Sequence, residues 1–528
     1  MARIVQIFLN PNEKTRRIIA RTIAFIGLLI LVRAGIGAYH TGALWSRMLI
    51  YPFDLDYGEG TILTEIYELL SHRPLYPLDQ SERFIASNYP PLFYVSAALL
   101  QILVGGEGAP FLAIRLASVA GMLLLGFAVG LYVYRRTRSW IASLATPCLL
   151  VFTIEYGIPF INFGAYGKPD ALAVGLTAMG FALAMGFEKS RAMLWSAPFF
   201  VAALFTKQTT LPAPVIIFVW MLLKEDRRRA LEFLLLCIAI SSVILLLCFA
   251  FFGVEGFWQH VVEYNATQAA DPYKQFWYHP YIFFRVLSVL IIIAAVSYYA
   301  TWNHAALGYF ALAFLVYIPA MYKEGASYNY WMEPLLALYL LIGEALGRAV
   351  KATYADYRWP LFFVLASVLA LVWTHNPRFA KRDWLVDEHF QQAQSVRSEI
   401  KALLDADGSD RPVFAARPGL FSQFAPDINL LIDDPFLYNQ MAATGRLSNN
   451  QLLLENIQRR ALRLIALNYP PEAAEDYARN ETQHHHITRI SPAQARAITE
   501  NYRLVIEYSV ALEPGNQERI LIYEPLPR

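Results

Sequence analysis

The sequence predicts a mainly α, polytopic membrane bundle of about eleven transmembrane helices, followed by an extracytoplasmic C-terminal α/β domain. Three observations predict it. Of the 528 residues, 56% are hydrophobic and 16% charged, and the mean hydropathy is +0.36. A soluble domain carries about 25% charged residues. Apolar runs of about 17 to 24 residues recur from residue 17 to about 375, each long enough to cross a hydrocarbon core of ~30 Å. Beyond about residue 376 the composition turns soluble for about 150 residues, a normal domain size. The predicted domains are therefore 1–375 and 376–528. A net charge of +2 points to no nucleic acid. Cys148, Cys237 and Cys248 all lie in apolar segments, so no disulfide framework is expected. The N-terminal "MARIVQIFLNPNEKTRR" lacks a small-residue cleavage site, so the first apolar run reads as a retained helix.

The helices are placed by hydropathy and sided by charge. Lys and Arg in short loops stay cytoplasmic. The basic clusters are Lys14 to Arg17, Arg135 to Arg138, Lys189 with Arg191, residues 224–229, and Arg348 with Lys351 and Arg358. One helix set puts all of them on one side: roughly 17–38, 112–134, 140–158, 170–187, 193–210, 211–223, 230–253, 281–300, 306–322, 331–347 and 359–375. The N-terminus is then cytoplasmic and the C-terminal domain outside, in a multi-pass plasma-membrane protein. The run at 90–105 begins with Pro90-Pro91 and is too short to cross. Counting it would turn "RRTR" outward, so it reads as a helix along the outer face. The pair 193–210 and 211–223 is one apolar stretch cut by Thr209, Thr210 and Pro212.

Four polar stretches and one helix end then share the outer side: the loop 39–111, 158–169, 254–280, 322–334 and "FTKQTT" at 205–210. The chemistry is expected there. Asp54, Asp56 and Glu59 stand just past the first helix among Tyr51, Pro52, Phe53, Leu55 and Tyr57. Apolar neighbours raise a carboxyl pKa. A carboxylate so placed could serve as a general base, or bind Mg or Mn through hard oxygen ligands. The plain alternative is a solvated acidic loop. "GEG" has no phosphate-loop pattern, so no nucleotide site is expected.

Lys168-Pro169-Asp170 suits a helix start, with Pro in the first turn and an acid at the N-terminus. Lys207 beside Gln208, like Arg115, could be a snorkelling cation. Yet Arg115, Lys168, Lys207 and Lys323 are cations on the face that positive-inside bias depletes, and an anionic phosphate headgroup would explain them. Tyr89, in "SNYPP", Asn329, Tyr330 and Glu333 offer further polar contacts, although Glu333 also suits the helix dipole. The sequons at Asn265 and Asn480 fall outside. His484 to His486 are consecutive on an irregular stretch, so a metal site is not expected there.

The ordered set "LDYGEG", "NYPPLFY", "RLASVAGMLLLG", "FTKQT" and "NYWMEP" resembles the GT-C superfamily of membrane glycosyltransferases. The similar group is the bacterial type related to dolichyl-phosphate-mannose–protein mannosyltransferases and aminoarabinose transferases. The resemblance covers residues 17 to about 350. It implies a polyprenyl-phosphate-linked sugar as donor, a site on the non-cytoplasmic side, and an acidic pair early in the first outer loop. Asp56 and Glu59 match that pair, with Asp54 competing. The family's two acids are usually adjacent, and here two residues separate them. The family's arginine at the start of the second helix matches Arg115, and its juxtamembrane helix matches 90–105.

The expected reaction is inverting transfer of the sugar to an acceptor hydroxyl on a protein, lipid or polysaccharide. One of Asp54, Asp56 and Glu59 is the base, and Arg115, Lys168 and Lys207 hold the phosphate. Asp170, Gln208, Tyr89, Asn329, Tyr330 and Glu333 line the substrate. The rivals are a transporter or flippase of lipid-linked glycans, which predicts internal repeats and mid-bilayer polar groups, and a non-catalytic sugar-binding membrane protein.

In the C-terminal domain, 411–416, 463–468, 502–510 and "ERILIYEP" read as strands and 449–461 as a helix. Asp433-Asp434-Pro435 reads as a turn.

Overall fold

The computed structural model describes residues 13–106, 108–154, 164–187, 190–224, 226–266, 277–321, 328–351, 387–447, 449–474, 490–513 and 516–527. The helices are α1 (Glu13–Ile50), α2 (Tyr57–Leu70), α3 (Leu92–Val104), α4 (Leu112–Thr137), α5 (Trp140–Phe152), α6 (Pro169–Gly186), α7 (Ser196–Thr206), α8 (Pro212–Leu223), α9 (Arg227–Phe252), α10 (His279–Thr301), α11 (His304–Ala320) and α12 (Met332–Lys351). Ten of the eleven expected crossings thus have a helix. The eleventh, 359–375, lies outside the described residues, as do Lys323, Asn480 and the histidine tract.

Among the described residues, five helices are long and apolar enough to cross a membrane: residues 25–50, α4, α6, α9 and 280–301. Helix α1 runs past the expected end at 38 because hydropathy, not helix propensity, falls there. His40, Thr41, Ser46 and Arg47 continue the helix until Pro52. The first outer loop therefore begins at 51, not 39. Helix α3 has 13 residues, about 20 Å of rise, short of a ~30 Å core.

The helix pair that positions the site is α4 and α6. They run parallel and touch backbone to backbone. A Cβ on Gly121 would lie 2.4 Å from Leu172 Cα, and one on Gly175 would lie 2.2 Å from the Gly121 carbonyl oxygen. Small residues permit this approach between apolar helices. It brings the first two turns of α4 beside the start of α6, where Ser118 Oγ donates to the Lys168 carbonyl at 2.8 Å.

The C-terminal domain begins with α13 (Asp387–Asp407), whose Ala393, Val396, Ile400 and Leu404 are buried at helical spacing. Then follow β1 (Phe414–Ala415), α14 (Gly419–Ser422), α15 (Pro435–Ala443), α16 (Leu452–Gln458), β2 (Ile465–Leu467), α17 (Pro492–Asn501), β3 (Tyr502–Glu513) and β4 (Asn516–Pro525). The sheet order is β1-β2-β4-β3. β1 pairs parallel with β2, and β4 lies antiparallel to both neighbours. The fold is mainly α with a small mixed sheet near the C-terminus, as expected.

Candidate active site

The site gathers at the end of the bundle where α1 and α7 finish and α4, α6 and α12 begin. The chain leaves α1 at Ile50 and enters α2 seven residues later. Asp56 is the N-cap of α2, at φ −145 and ψ 142, and accepts from the Gly58 amide at 2.9 Å. An acid there satisfies a free helix N–H and suits the dipole. Its Oδ1 also contacts the Lys168 ammonium. Burial opposes the charged form of Asp56. The Lys168 ammonium, the Gly58 amide and the Arg417 guanidinium override it and hold the pKa below the ordinary carboxylate value.

Lys168 is the N-cap of α6, and Pro169 at the first helical position fixes Asp170 in the first turn. Asp170 is buried. Its Oδ1 contacts the Lys207 ammonium and accepts from Asn329 Nδ2 at 2.8 Å. Lys207, the C-cap of α7, sits 4.4 Å above the Tyr330 ring, a cation–π contact. Burial disfavours both ammonium groups. The carboxylates beside them, Asp56 for Lys168 and Asp170 for Lys207, outweigh burial and hold both pKa values above the ordinary lysine value. The result is a chain of alternating charge: Asp56, Lys168, Asp170, Lys207.

The remaining substrate candidates surround this chain. Gln208 Nε2 reaches the Asn88 and Val261 carbonyls at 3.4 Å each, and Asn265 Nδ2 donates to Asn88 at 2.7 Å. Burial, then the charges of Asp170 and Asp56, push the Tyr89 hydroxyl well above its ordinary pKa, so it stays a donor. Among the described residues, five buried acceptor atoms here have no hydrogen-bond partner: Asp170 Oδ2, Glu333 Oε1, Asn329 Oδ1, Gln208 Oε1 and Asn88 Oδ1. Buried polar groups are ordinarily satisfied, so a concentration of unpaired acceptors is what a wall facing hydroxyl donors requires.

Glu59, in the first turn of α2, and Arg115, in the first turn of α4, are bound to each other. Arg115 Nε donates to Glu59 Oε1 at 3.0 Å and Nη2 to Oε2 at 2.8 Å. Its other N–H groups go to the carbonyls of Met48 (2.7 Å), Tyr51 (2.6 Å) and Phe53 (2.5 Å). A guanidinium has five N–H donors, and all five are engaged. Glu59 also accepts from the Leu55 and Gly167 amides at 2.7 and 2.6 Å. Both side chains are fully buried. Arg115 thus has no donor left for a phosphate, and Glu59 has four donors already on its two oxygens.

Asp54 turns the other way, onto Arg417 of the C-terminal domain, whose Nε donates to Asp54 Oδ2 at 2.8 Å. The sequence reading missed Arg417. Its partner is 363 residues away, and nothing local marks "ARPG" as anything but a turn. Asn88 and Asn265 were also missed, although both sit inside the outer stretches that the sequence singled out. The three clustered acids therefore go to three different cations. They do not form a shared hard-oxygen ligand set, and among the described residues no three His, Cys, Asp or Glu side chains are grouped to hold a metal ion.

Solved structures share this architecture. ArnT from Cupriavidus metallidurans bound to undecaprenyl phosphate superposes with a TM-score of 0.53 at 12% identity, covering 93% of this chain and 99% of ArnT. The apo form gives 0.51 at 11% identity, covering 93% and 98%. The chain has the GT-C fold. An Archaeoglobus fulgidus oligosaccharyltransferase, tethered to an acceptor peptide containing the NVT sequon, gives 0.53 at 12% identity, covering 93% of this chain and 74% of that one. No family model and no curated protein sequence matches the chain. The apolar helices and the GT-C fold make it a membrane protein.

Proposed function

We propose that the chain is an integral membrane glycosyltransferase that moves a sugar from a polyprenyl-phosphate carrier to an acceptor hydroxyl at the outer face, with inversion. The observation that carries this reading is the chain Asp56–Lys168–Asp170–Lys207, set among unpaired buried acceptors at one end of an apolar bundle. The GT-C fold supports it, and so does the undecaprenyl phosphate bound to the structurally similar ArnT.

Each lysine here is held by a carboxylate, so an entering phosphate competes with a carboxylate for the same N–H donors. The donor phosphate takes Lys168 and Lys207. Both stay protonated, because neighbouring acids hold their pKa values high, and both stabilise the leaving phosphate. Losing Lys168 frees Asp56, which remains an anion because the Gly58 amide and Arg417 still favour its charged form. Asp56 then accepts the acceptor hydroxyl proton. The hydroxyl oxygen bonds to the anomeric carbon as the carbon–phosphate-oxygen bond breaks on the opposite face. The polyprenyl phosphate leaves with the electron pair, and the anomeric centre inverts. Asp170 orients Lys207. The carboxamide oxygens of Asn329 and Gln208 accept from sugar hydroxyls.

Glu59 and Arg115 are assigned a supporting role instead of the base and phosphate roles expected from the sequence. Their donors and acceptors are consumed in fixing the turn that presents Asp56. The test is carrier binding by Lys168→Met and Lys207→Met. Each should lose bound polyprenyl phosphate while the helical bundle stays folded. Unchanged carrier binding in the double variant contradicts the reading.

A further inference from the structure

The C-terminal domain does more than cover the bundle. Helix α2 divides between two partners. Glu59 faces the bundle through Arg115, whereas Tyr57, Gly60 and Thr61, at helical spacing, meet the C-terminal domain. Tyr57 OH donates to Asp434 Oδ1 at 2.8 Å and accepts from the Phe436 amide at 3.1 Å. Thr61 Oγ1 donates to the Asp433 carbonyl at 2.9 Å. At Gly60 the two backbones touch, since a Cβ there would lie 2.1 Å from the Gly419 nitrogen. A Cβ on Gly419 would lie 2.2 Å from Asp54 Cγ.

Arg417 stands at the centre of this contact. Its side chain is 6% exposed and that of Asp54 is 0%. Besides the Nε bond to Asp54 Oδ2, its Nη2 donates to the Asp54 carbonyl at 3.1 Å. Both bonds hold the residue two positions before Asp56. The anchor is rigid. Arg417 lies two residues beyond β1, next to Ala416, whose amide donates to the Ala466 carbonyl of β2 at 2.8 Å, and its own carbonyl receives the Leu420 amide at 3.1 Å. A side chain on a bend pinned at both ends by backbone hydrogen bonds holds its partner more tightly than one on an unsupported loop does.

We propose that Arg417 is a positioning residue of the active site, supplied by the C-terminal domain, which clamps the Asp54 turn and so fixes the place from which Asp56 acts. The kinetic part rests on the transferase reading; the clamp itself does not. The groups that face Asp56 are Lys168 from α6, the Gly58 amide of its own turn, Tyr89 from the first outer loop, and Arg417. Removing Arg417 removes one positive charge from that set, so the Asp56 pKa rises.

The experiment compares Arg417→Gln and Arg417→Lys with Arg446→Gln, an exposed change on the same domain, in the full-length protein in detergent. The readouts are deuterium uptake, and kcat and KM across pH. Arg417→Gln should raise uptake in residues 51–61 and leave β3 and β4 unchanged. Transfer should show kcat lowered roughly 10- to 100-fold, with donor KM near wild type and the acid limb of kcat/KM moved to higher pH. Arg417→Lys keeps the charge but loses the fork, so it should hold the acid limb in place with a smaller loss of kcat. If the Gln variant does not fold, Arg417→Lys carries the test through kcat and uptake. Wild-type uptake in 51–61 together with wild-type kcat overturns the proposal. If the wild-type protein transfers no sugar from any polyprenyl-phosphate donor, the transferase reading fails alone. The uptake arm then decides the clamp by itself.

Discussion

Arg115 spends two of its five donors on Glu59 and three on the carbonyls of Met48, Tyr51 and Phe53, so one buried guanidinium ties the end of α1 to the start of α2. Removing either partner strands a buried charge, a loss of about 3–5 kcal/mol. Arg115→Met and Glu59→Gln should therefore lower the unfolding midpoint in detergent, and Arg115→Lys, which cannot fork, should do so in part. A stably folded Arg115→Met protein that had lost only carrier affinity would return Arg115 to the phosphate site.

The Asp56–Lys168 contact sets a pH dependence. The carboxyl pKa is depressed in the fold, so the stabilisation is present above the unfolded carboxyl value of about 3.9. It is lost as pH falls through the lower folded value. The base is therefore ionised across neutral pH, and the acid limb of kcat/KM lies below the ordinary aspartate range. Lys168→Gln removes the principal charge that lowers this pKa and should move the acid limb to higher pH, in addition to weakening donor binding. An acid limb that does not move would mean another group reports it.

A second carboxyl pair has the opposite sign. Thr61 and Glu65 are one turn apart on α2, and Thr61 bonds the Asp433 carbonyl. Asp433 accepts twice from the Ala86 amide, at 3.0 and 3.1 Å. Burial first, and then the charge of Asp433 on Glu65 and of Asp434 on Asp433, push both pKa values well up. The stabilisation is complete below the ordinary carboxylate range and is lost as pH rises through the raised folded value. Raising pH should thus loosen the contact between α2 and the C-terminal domain, and Glu65→Gln should remove the part of that dependence that Glu65 carries and leave the part carried by Asp433. Thermal midpoints of wild type and variant, followed from the ordinary carboxylate range upward in pH, check it, and parallel curves would contradict it.

The α4–α6 contact leaves no room for a methyl group. Gly121→Ala places a Cβ 2.4 Å from backbone atoms of Leu172. Overpacking of this kind costs about 1–3 kcal/mol, and here it also moves Lys168 relative to Arg115. Lower stability with reduced transfer is expected, whereas a neutral substitution would show that the two helices can part freely.

The helices were legible because a run of apolar residues states its own length and Pro or a charge states its end. The cut between α7 and α8 is an example, with Pro212 at the first position of the second helix. The end of α1 was not, because polar residues can continue a helix beyond the hydrophobic span. Lys168 and Lys207 were legible as out-of-place cations, and they do converge, with Asp170 between them. What the sequence could not reveal is which charge meets which. Asp54, Asp56 and Glu59 lie within six positions but go to Arg417, Lys168 and Arg115, on three separate segments. Closeness in the chain suggested a shared site, and long-range pairing separated it into one half-buried acid and two fully buried struts.

The most direct measurement is mass spectrometry of lipids that co-purify with wild type and with Asp56→Asn from a native lipid extract known to contain polyprenyl-phosphate sugars. Asp56→Asn keeps the helix cap and the lysines but has no base, so a lipid-linked monosaccharide should accumulate on it and the bare carrier phosphate on wild type. Neither lipid on either protein would contradict the transferase account and favour transport or sugar binding.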